Sequence, residues 1–110
     1  MICNNIVVYD TDEQLSEYFK CHEFASKNCN VTFIDPKLIW ILEAIRRRTE
    51  APLYVVKGND GDSDLHFCGM AATVYSDSVS VSRIMSMALD IVPPGHAKIV
   101  TGGVMIDSNY

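Results

Sequence analysis

The segment that constrains this chain most is Asp35-Pro36-Lys37-Leu38-Ile39-Trp40-Ile41-Leu42-Glu43-Ala44-Ile45-Arg46-Arg47-Arg48. An aspartate before the first turn can accept hydrogen bonds from free backbone N–H groups. A proline at the next position gives up an N–H that would have had no partner anyway. Leu38, Ile41, Leu42 and Ile45 then fall at i, i+3, i+4 and i+7, with Ile39 and Trp40 widening the stripe. The three arginines place positive charge at the negative end of the helix dipole. The pattern predicts a helix over 36–48 that must bury one face.

Partners for that face are short extended runs. Residues 5–9 alternate weakly and read as a leading strand; Thr11 or Asp12 could then cap a short helix through Phe19. Leu53-Tyr54-Val55-Val56 reads as a buried strand, 57–64 as a loop rich in Gly, Asp and Asn, and 70–75 as a second strand. Ser76-Asp77-Ser78 turns the chain towards a short helix over 82–89, carried by Ile84, Met85, Ala88 and Leu89 and broken by Pro93-Pro94-Gly95. Lys98-Ile99-Val100-Thr101, Gly102-Gly103 and Val104-Met105-Ile106-Asp107 form a closing hairpin. The expected fold is α+β: a small, mostly antiparallel sheet packed on one main helix plus short helices, in a single domain. With 110 residues, one modest core is what such a chain can bury.

Charge and flanking signals narrow the function classes. Nine basic and fourteen acidic residues give a net charge of −5, the opposite of what tracking a phosphate backbone requires, so general nucleic-acid binding is not expected. No apolar run reaches the roughly 18–20 residues that span a bilayer, so no membrane partner is expected. The first nine residues carry no cationic start and no small-residue cleavage site, and the expected compartment is cytoplasmic. Cys3, Cys21, Cys29 and Cys68 are accordingly read as reduced thiols. Cys21-His22 with Cys29 matches no common structural zinc spacing.

The order of segments carries a resemblance. Tyr18-Phe19-Lys20-Cys21-His22-Glu23-Phe24-Ala25-Ser26-Lys27, the helix opening Ile34-Asp35-Pro36-Lys37-Leu38, Pro52-Leu53-Tyr54-Val55-Val56-Lys57-Gly58, Asp64-Leu65-His66-Phe67-Cys68-Gly69-Met70-Ala71-Ala72-Thr73 and Val104-Met105-Ile106-Asp107 follow one another. Together they resemble the "nF-x-x-x-EFA-x-K", "idP-x-L", "PL-x-I-x-SGYR", "S-x-H-x-x-G-x-A-x-D" and "V-H-V-D" elements of phage-type zinc peptidases of the D-alanyl-D-alanine carboxypeptidase family. The resemblance covers 18–110 and leaves 1–17 as a leader.

The resemblance implies a metal held by two histidines and an aspartate, with a fourth position open for the water that attacks the peptide. Carried over position by position, His66 keeps the first ligand, Thr73 stands at the aspartate and Met105 at the second histidine. A neutral hydroxyl and a soft thioether do not build a hydrolytic zinc site. Lys57-Gly58-Asn59-Asp60 stands where the family has "SGYR", so its arginine is gone. The resemblance therefore implies a scaffold without catalytic residues, metal or cofactor, zinc included. Its former substrate groove would bind a protein or small-molecule ligand, as in a phage-encoded sequestration or inhibitor protein. The hedgehog signalling domain resembles this family in fold and uses it for binding. The groove candidates are His66, Thr73, Met105, Asp107, Cys68 and Lys57.

Several residues carry a plainer reading beside the functional one. His66 is a cleft residue or a hydrogen-bonded structural histidine, and Cys68 a small buried thiol or a companion of His66 in a rewired metal site. Asp107 reads as the aspartate that follows the lost histidine or simply as the end of a strand, and His96 reads as a loop histidine. Met70, Met85, Met87 and Met105 suit ordinary core or an adaptable lining. Arg46, Arg47 and Arg48 read as a solvated helix end or an anion site. Asp60, Asp62 and Asp64 have D-x-D-x-D spacing, but the distal bidentate glutamate of a calcium loop is missing. Two other functions remain open: a cell-wall peptide hydrolase whose altered metal site draws on His66, Cys68, His96 or Asp107, and a homo-oligomeric assembly protein using the strand at 5–9 to extend a neighbour's sheet.

Overall fold

The computed structural model describes residues 6–10, 13–25, 31–59 and 64–110. The helix at Asp35-Pro36 forms as its sequence dictates: α1 spans Pro36–Thr49, and the Asp35 carboxylate accepts the Lys37 N–H at 3.0 Å. Leu38, Ile41, Leu42 and Ile45 are fully buried, and Ile39 is buried beside them. Trp40 departs from the expected stripe and is 65% exposed. Two residues beyond Leu38 it has turned about 200° around the axis, so it projects from the opposite side.

The strands fall into two antiparallel sheets. β1 (Val7–Asp10) pairs with β2 (Val31–Ile34). A four-stranded sheet runs in the order β3 (Tyr54–Lys57), β4 (Ala71–Tyr75), β6 (Gly103–Asp107), β5 (Ala97–Val100). Two further helices, α2 (Asp64–Phe67) and α3 (Val81–Leu89), flank β4 in sequence. The fold is thus the expected α+β arrangement of antiparallel strands around one main helix. Residues directly opposite in a ladder share a face. Ala72, Ile106 and Ala97, with Val74 and Val104 two residues along, therefore form the inner face, and all join the core with α1 and with Ile84 and Ala88 of α3.

The expected short helix ending at Phe19 is absent from the described part of that segment. The N–H groups of Leu15 and Ser16 both donate to the Phe19 carbonyl, Gln14 bridges to Lys20, and a 3₁₀ turn follows at Cys21–Glu23. This looped path inserts Phe19 and Phe24 into the core as an edge-to-face pair 6.0 Å apart, which a straight helix would have spread along its axis.

Two contacts sew the small sheet to the large one. The Asp35 N–H donates to the Gly69 carbonyl at 2.9 Å. Gly69 lies at φ +80°, and a Cβ there would collide with the Phe33 carbonyl, so only glycine allows this close approach. Asn59, buried, supplies the second. Its amide oxygen accepts the Phe33 N–H and its amide nitrogen donates to the Phe33 carbonyl, both at 2.8 Å. The side chain thus acts as a surrogate strand partner for β2. The same amide nitrogen lies 3.2 Å from the His66 carbonyl, so Asn59 also ties α2 in place.

Each arginine at the end of α1 has its own neighbour. Arg46 sits 4.1 Å above the Tyr18 ring, while Arg47 and Arg48 pair with Glu17 and Asp90, both at 3.3 Å on the exposed surface. Such exposed pairs contribute about 0–1 kcal/mol each. Among the described residues no helix is long and apolar enough to cross a membrane.

Candidate functional site

The outer face of the four-stranded sheet carries one transverse row of side chains. Lys57 of β3 lies opposite Thr73 of β4, Thr73 opposite Met105 of β6, and Met105 opposite Lys98 of β5. Lys57 reaches this face because β3 contains a bulge between Val55 and Lys57. Tyr54 pairs with Tyr75, so strict alternation would send a residue three positions after Tyr54 to the inner face. The extra residue restores it to the outer one.

The one-turn helix α2 brings His66 over this row. His66 and Thr73 are both buried, and Nε2 of the imidazole lies 3.1 Å from the Thr73 hydroxyl. A cavity of about 330 Å³ opens beside them, walled by Lys57, His66, Thr73, Lys98, Val100, Thr101 and Met105. The volume is at the small end of the range for small-molecule sites.

A second cavity of about 280 Å³ adjoins the first, sharing Lys98 and Met105 as wall. At its far side His96 Nδ1 lies 2.7 Å from Asp107 Oδ1, and that oxygen also accepts the Asn109 N–H at 3.0 Å. A carboxylate on Nδ1 fixes the tautomer of a neutral imidazole, so Nε2 is then the acceptor nitrogen. The two cavities share that wall, and each carries one imidazole.

The structure therefore brings together four of the six residues singled out in sequence: His66, Thr73, Met105 and Lys57 wall the first cavity. Asp107 lines the second, where it does more than end a strand. Cys68, half-buried in the turn after α2, lines neither. Asp64 lies in the first turn of α2, whereas Asp60, Asp62, Cys3 and Cys29 lie outside the described residues. Met70 is buried, Met85 packs on the core and the half-buried Met87 lines neither cavity, leaving Met105 as the groove methionine of that set.

Sequence reasoning missed Lys98 and the pairing of His96 with Asp107. The first needed the β5–β6 register, and the second needed the distance between a loop and a strand end. A histidine two residues after Pro94, just before a strand paired with one ending in aspartate, was the available signal.

A zinc ion does not fit this donor set. One imidazole faces a hydroxyl and a thioether, and among the described residues no three His, Cys, Asp or Glu side chains converge. Comparison with protein-family models, with curated proteins and with solved structures gives no match. The functional reading accordingly rests on the groove.

Proposed function

We propose that this chain is a non-catalytic binding domain on a peptidase-like scaffold and that its ligand occupies the groove over β4 and β6. One observation carries the reading. His66 and Thr73, seven residues apart, and the distant Met105, the three positions that match a peptidase metal site in the resemblance, wall a single cavity together with Lys57. The arrangement keeps a concave site while its donors suit hydrogen bonding and apolar contact rather than metal-assisted attack on a peptide. In this reading the protein works in the cytoplasm, of a host cell if phage-encoded, and acts by sequestering or inhibiting what it binds.

The purified chain is expected to cleave no D-alanyl-D-alanine peptide, with or without added zinc. In a screen of small polar compounds, the amides of Thr73 and Met105 should shift saturably. Stoichiometric zinc in protein purified without chelator, with turnover lost in His66→Ala, would overturn the proposal.

A second reading, a hydrolase with an altered site, draws on the 2.7 Å contact of His96 with Asp107 in the wall of the adjoining cavity. A carboxylate-oriented imidazole is the arrangement of a general base. It requires peptide turnover that vanishes in His96→Gln; a chain inert towards such peptides removes it.

A further inference from the structure

We infer that a separate site, between α1 and the loop through Ser16 and Glu17, takes an alkylammonium group, its N–H donors on Glu43 and its stem against Trp40. A cavity of about 380 Å³ lies there, and none of its described wall residues belongs to the two cavities over the sheet. Trp40, Glu43 and Arg47 bring one face of α1 to it, since positions i, i+3 and i+7 stack along a helix. Ser16 and Glu17 wall the other side.

Glu43 is the group in this wall that lacks a partner. The residue is only 9% exposed. Its Oε1 accepts the Tyr18 N–H at 3.2 Å, which ties the loop to the helix. Its Oε2 is buried and meets no hydrogen-bond donor. A buried carboxylate ordinarily has both oxygens satisfied and a counter-charge nearby. Arg47, the cation of the described wall, is taken by Glu17 at 3.3 Å. An entering ammonium supplies the missing donor and the missing charge together. To reach Oε2 it must part the loop from the helix. The exposed Glu17–Arg47 pair that bridges them is a weak hold.

The other walls define the rest of the ligand. Trp40 is largely exposed in the same wall, and a cation within about 6 Å of an indole centroid is attracted to its face. Ile39 and Ala44 add apolar surface for a short alkyl stem. The net charge of −5 draws cations towards the chain as a whole. A metal ion fits less well, because among the described residues no three His, Cys, Asp or Glu side chains converge to hold one. A quaternary ammonium also fits less well, because it has no N–H to offer Oε2.

Trp40 is the sole tryptophan of the chain, so its fluorescence reports the site directly. The full chain is titrated at constant ionic strength with n-butylammonium, tetramethylammonium and Nα-acetyl-lysine N-methylamide. n-Butylammonium should change the fluorescence saturably, and tetramethylammonium should bind about tenfold or more weakly. Glu43→Gln keeps an acceptor for the Tyr18 N–H and loses the charge, and should weaken n-butylammonium about tenfold or more. Trp40→Ala changes an exposed side chain and should leave the thermal melt unchanged. Followed by the amide shifts of Glu43 and Ala44 in isotope-labelled protein, it should weaken binding about threefold or more. These readouts lie on α1, so they are independent of whether the groove over β4 and β6 binds anything. Comparable affinity for the lysine derivative assigns the side chain of a lysine-bearing peptide, and a clear preference for n-butylammonium assigns a free amine. The inference is overturned if n-butylammonium never saturates, binds no better than tetramethylammonium, or binds equally well to Glu43→Gln. Should Glu43→Gln fail to fold, undiminished binding in Trp40→Ala overturns it instead.

Discussion

Nε2 of His66 and the hydroxyl of Thr73 meet at 3.1 Å with both side chains buried. Away from water, each needs what the other supplies. Thr73→Val keeps the shape and removes the hydroxyl, taking from Nε2 this partner. The expected cost is about 1–2 kcal/mol by chemical denaturation, with Thr73→Ser close to the parent. Equal stability of the Val and Ser variants would show that the contact contributes nothing.

Asn59 is expected to matter more. Asn59→Ala removes the hydrogen-bond partners of both the Phe33 N–H and the Phe33 carbonyl, and one contact to the His66 carbonyl. Loss of these contacts at the edge of β2 should cost about 1–3 kcal/mol. Asn59→Asp can accept from the Phe33 N–H but cannot donate to its carbonyl, and should also destabilise. The same loss should appear as faster amide exchange in α2 than in α1, because α2 hangs on this side chain and α1 is anchored by its own buried stripe. Uniform exchange across both helices would refute the positioning role.

Local chemistry made the main helix and the closing hairpin legible. Asp35-Pro36 and the stripe Leu38–Ile45 specify α1 without reference to anything distant, and the closing hairpin turns at Thr101-Gly102, one residue before the Gly102-Gly103 pair that marks it in sequence. Non-local pairing was not legible. Val31-Thr32-Phe33-Ile34 has the β-branched and aromatic content of a strand, yet its partners are β1 and the amide of Asn59, which no local pattern names. In the groove, His66, Thr73, Met105 and Lys57 were reachable through the order of motifs, while Lys98 depended on register. Trp40 shows the limit of reading a stripe by eye: a large apolar side chain inside a helical run still points outwards if its angle is wrong.

Tyr110 gives a pH-dependent prediction. Burial first, then the charges of Asp107 and Asp35, raise its phenol above the ordinary value of 10.0. The folded state thus holds the phenolic proton more tightly than the unfolded chain does. The stability gained is fully present below the unfolded pKa and is lost as pH rises through the folded one. Above about pH 10 the parent should therefore lose stability relative to Tyr110→Phe, which has no proton to release. Phenolate absorbance, taken as the difference between parent and Tyr110→Phe, should rise at higher pH in the folded protein than in urea. A difference curve with the same midpoint in both states would contradict the assignment.

The peptidase resemblance itself can be tested by putting back what it says is missing. Thr73 and Met105 are direct cross-strand partners, a relation that sets Cβ atoms about 4.5–5.5 Å apart, and His66 already touches the Thr73 position. Zinc ligands need bonds of about 2.0–2.2 Å to one shared point. An aspartate at 73 and a histidine at 105 could meet that requirement with the His66 imidazole if the row descends from a metal site. Thr73→Asp combined with Met105→His is therefore expected to take up one zinc per chain by elemental analysis, where the parent takes up little. Adding His66→Ala should abolish the gain. The thermal midpoint of the double variant should rise with zinc, because a ligand that binds only the folded state stabilises it by mass action. If the double variant binds no more zinc than the parent while remaining folded, the resemblance between this groove and a peptidase metal site has no structural basis.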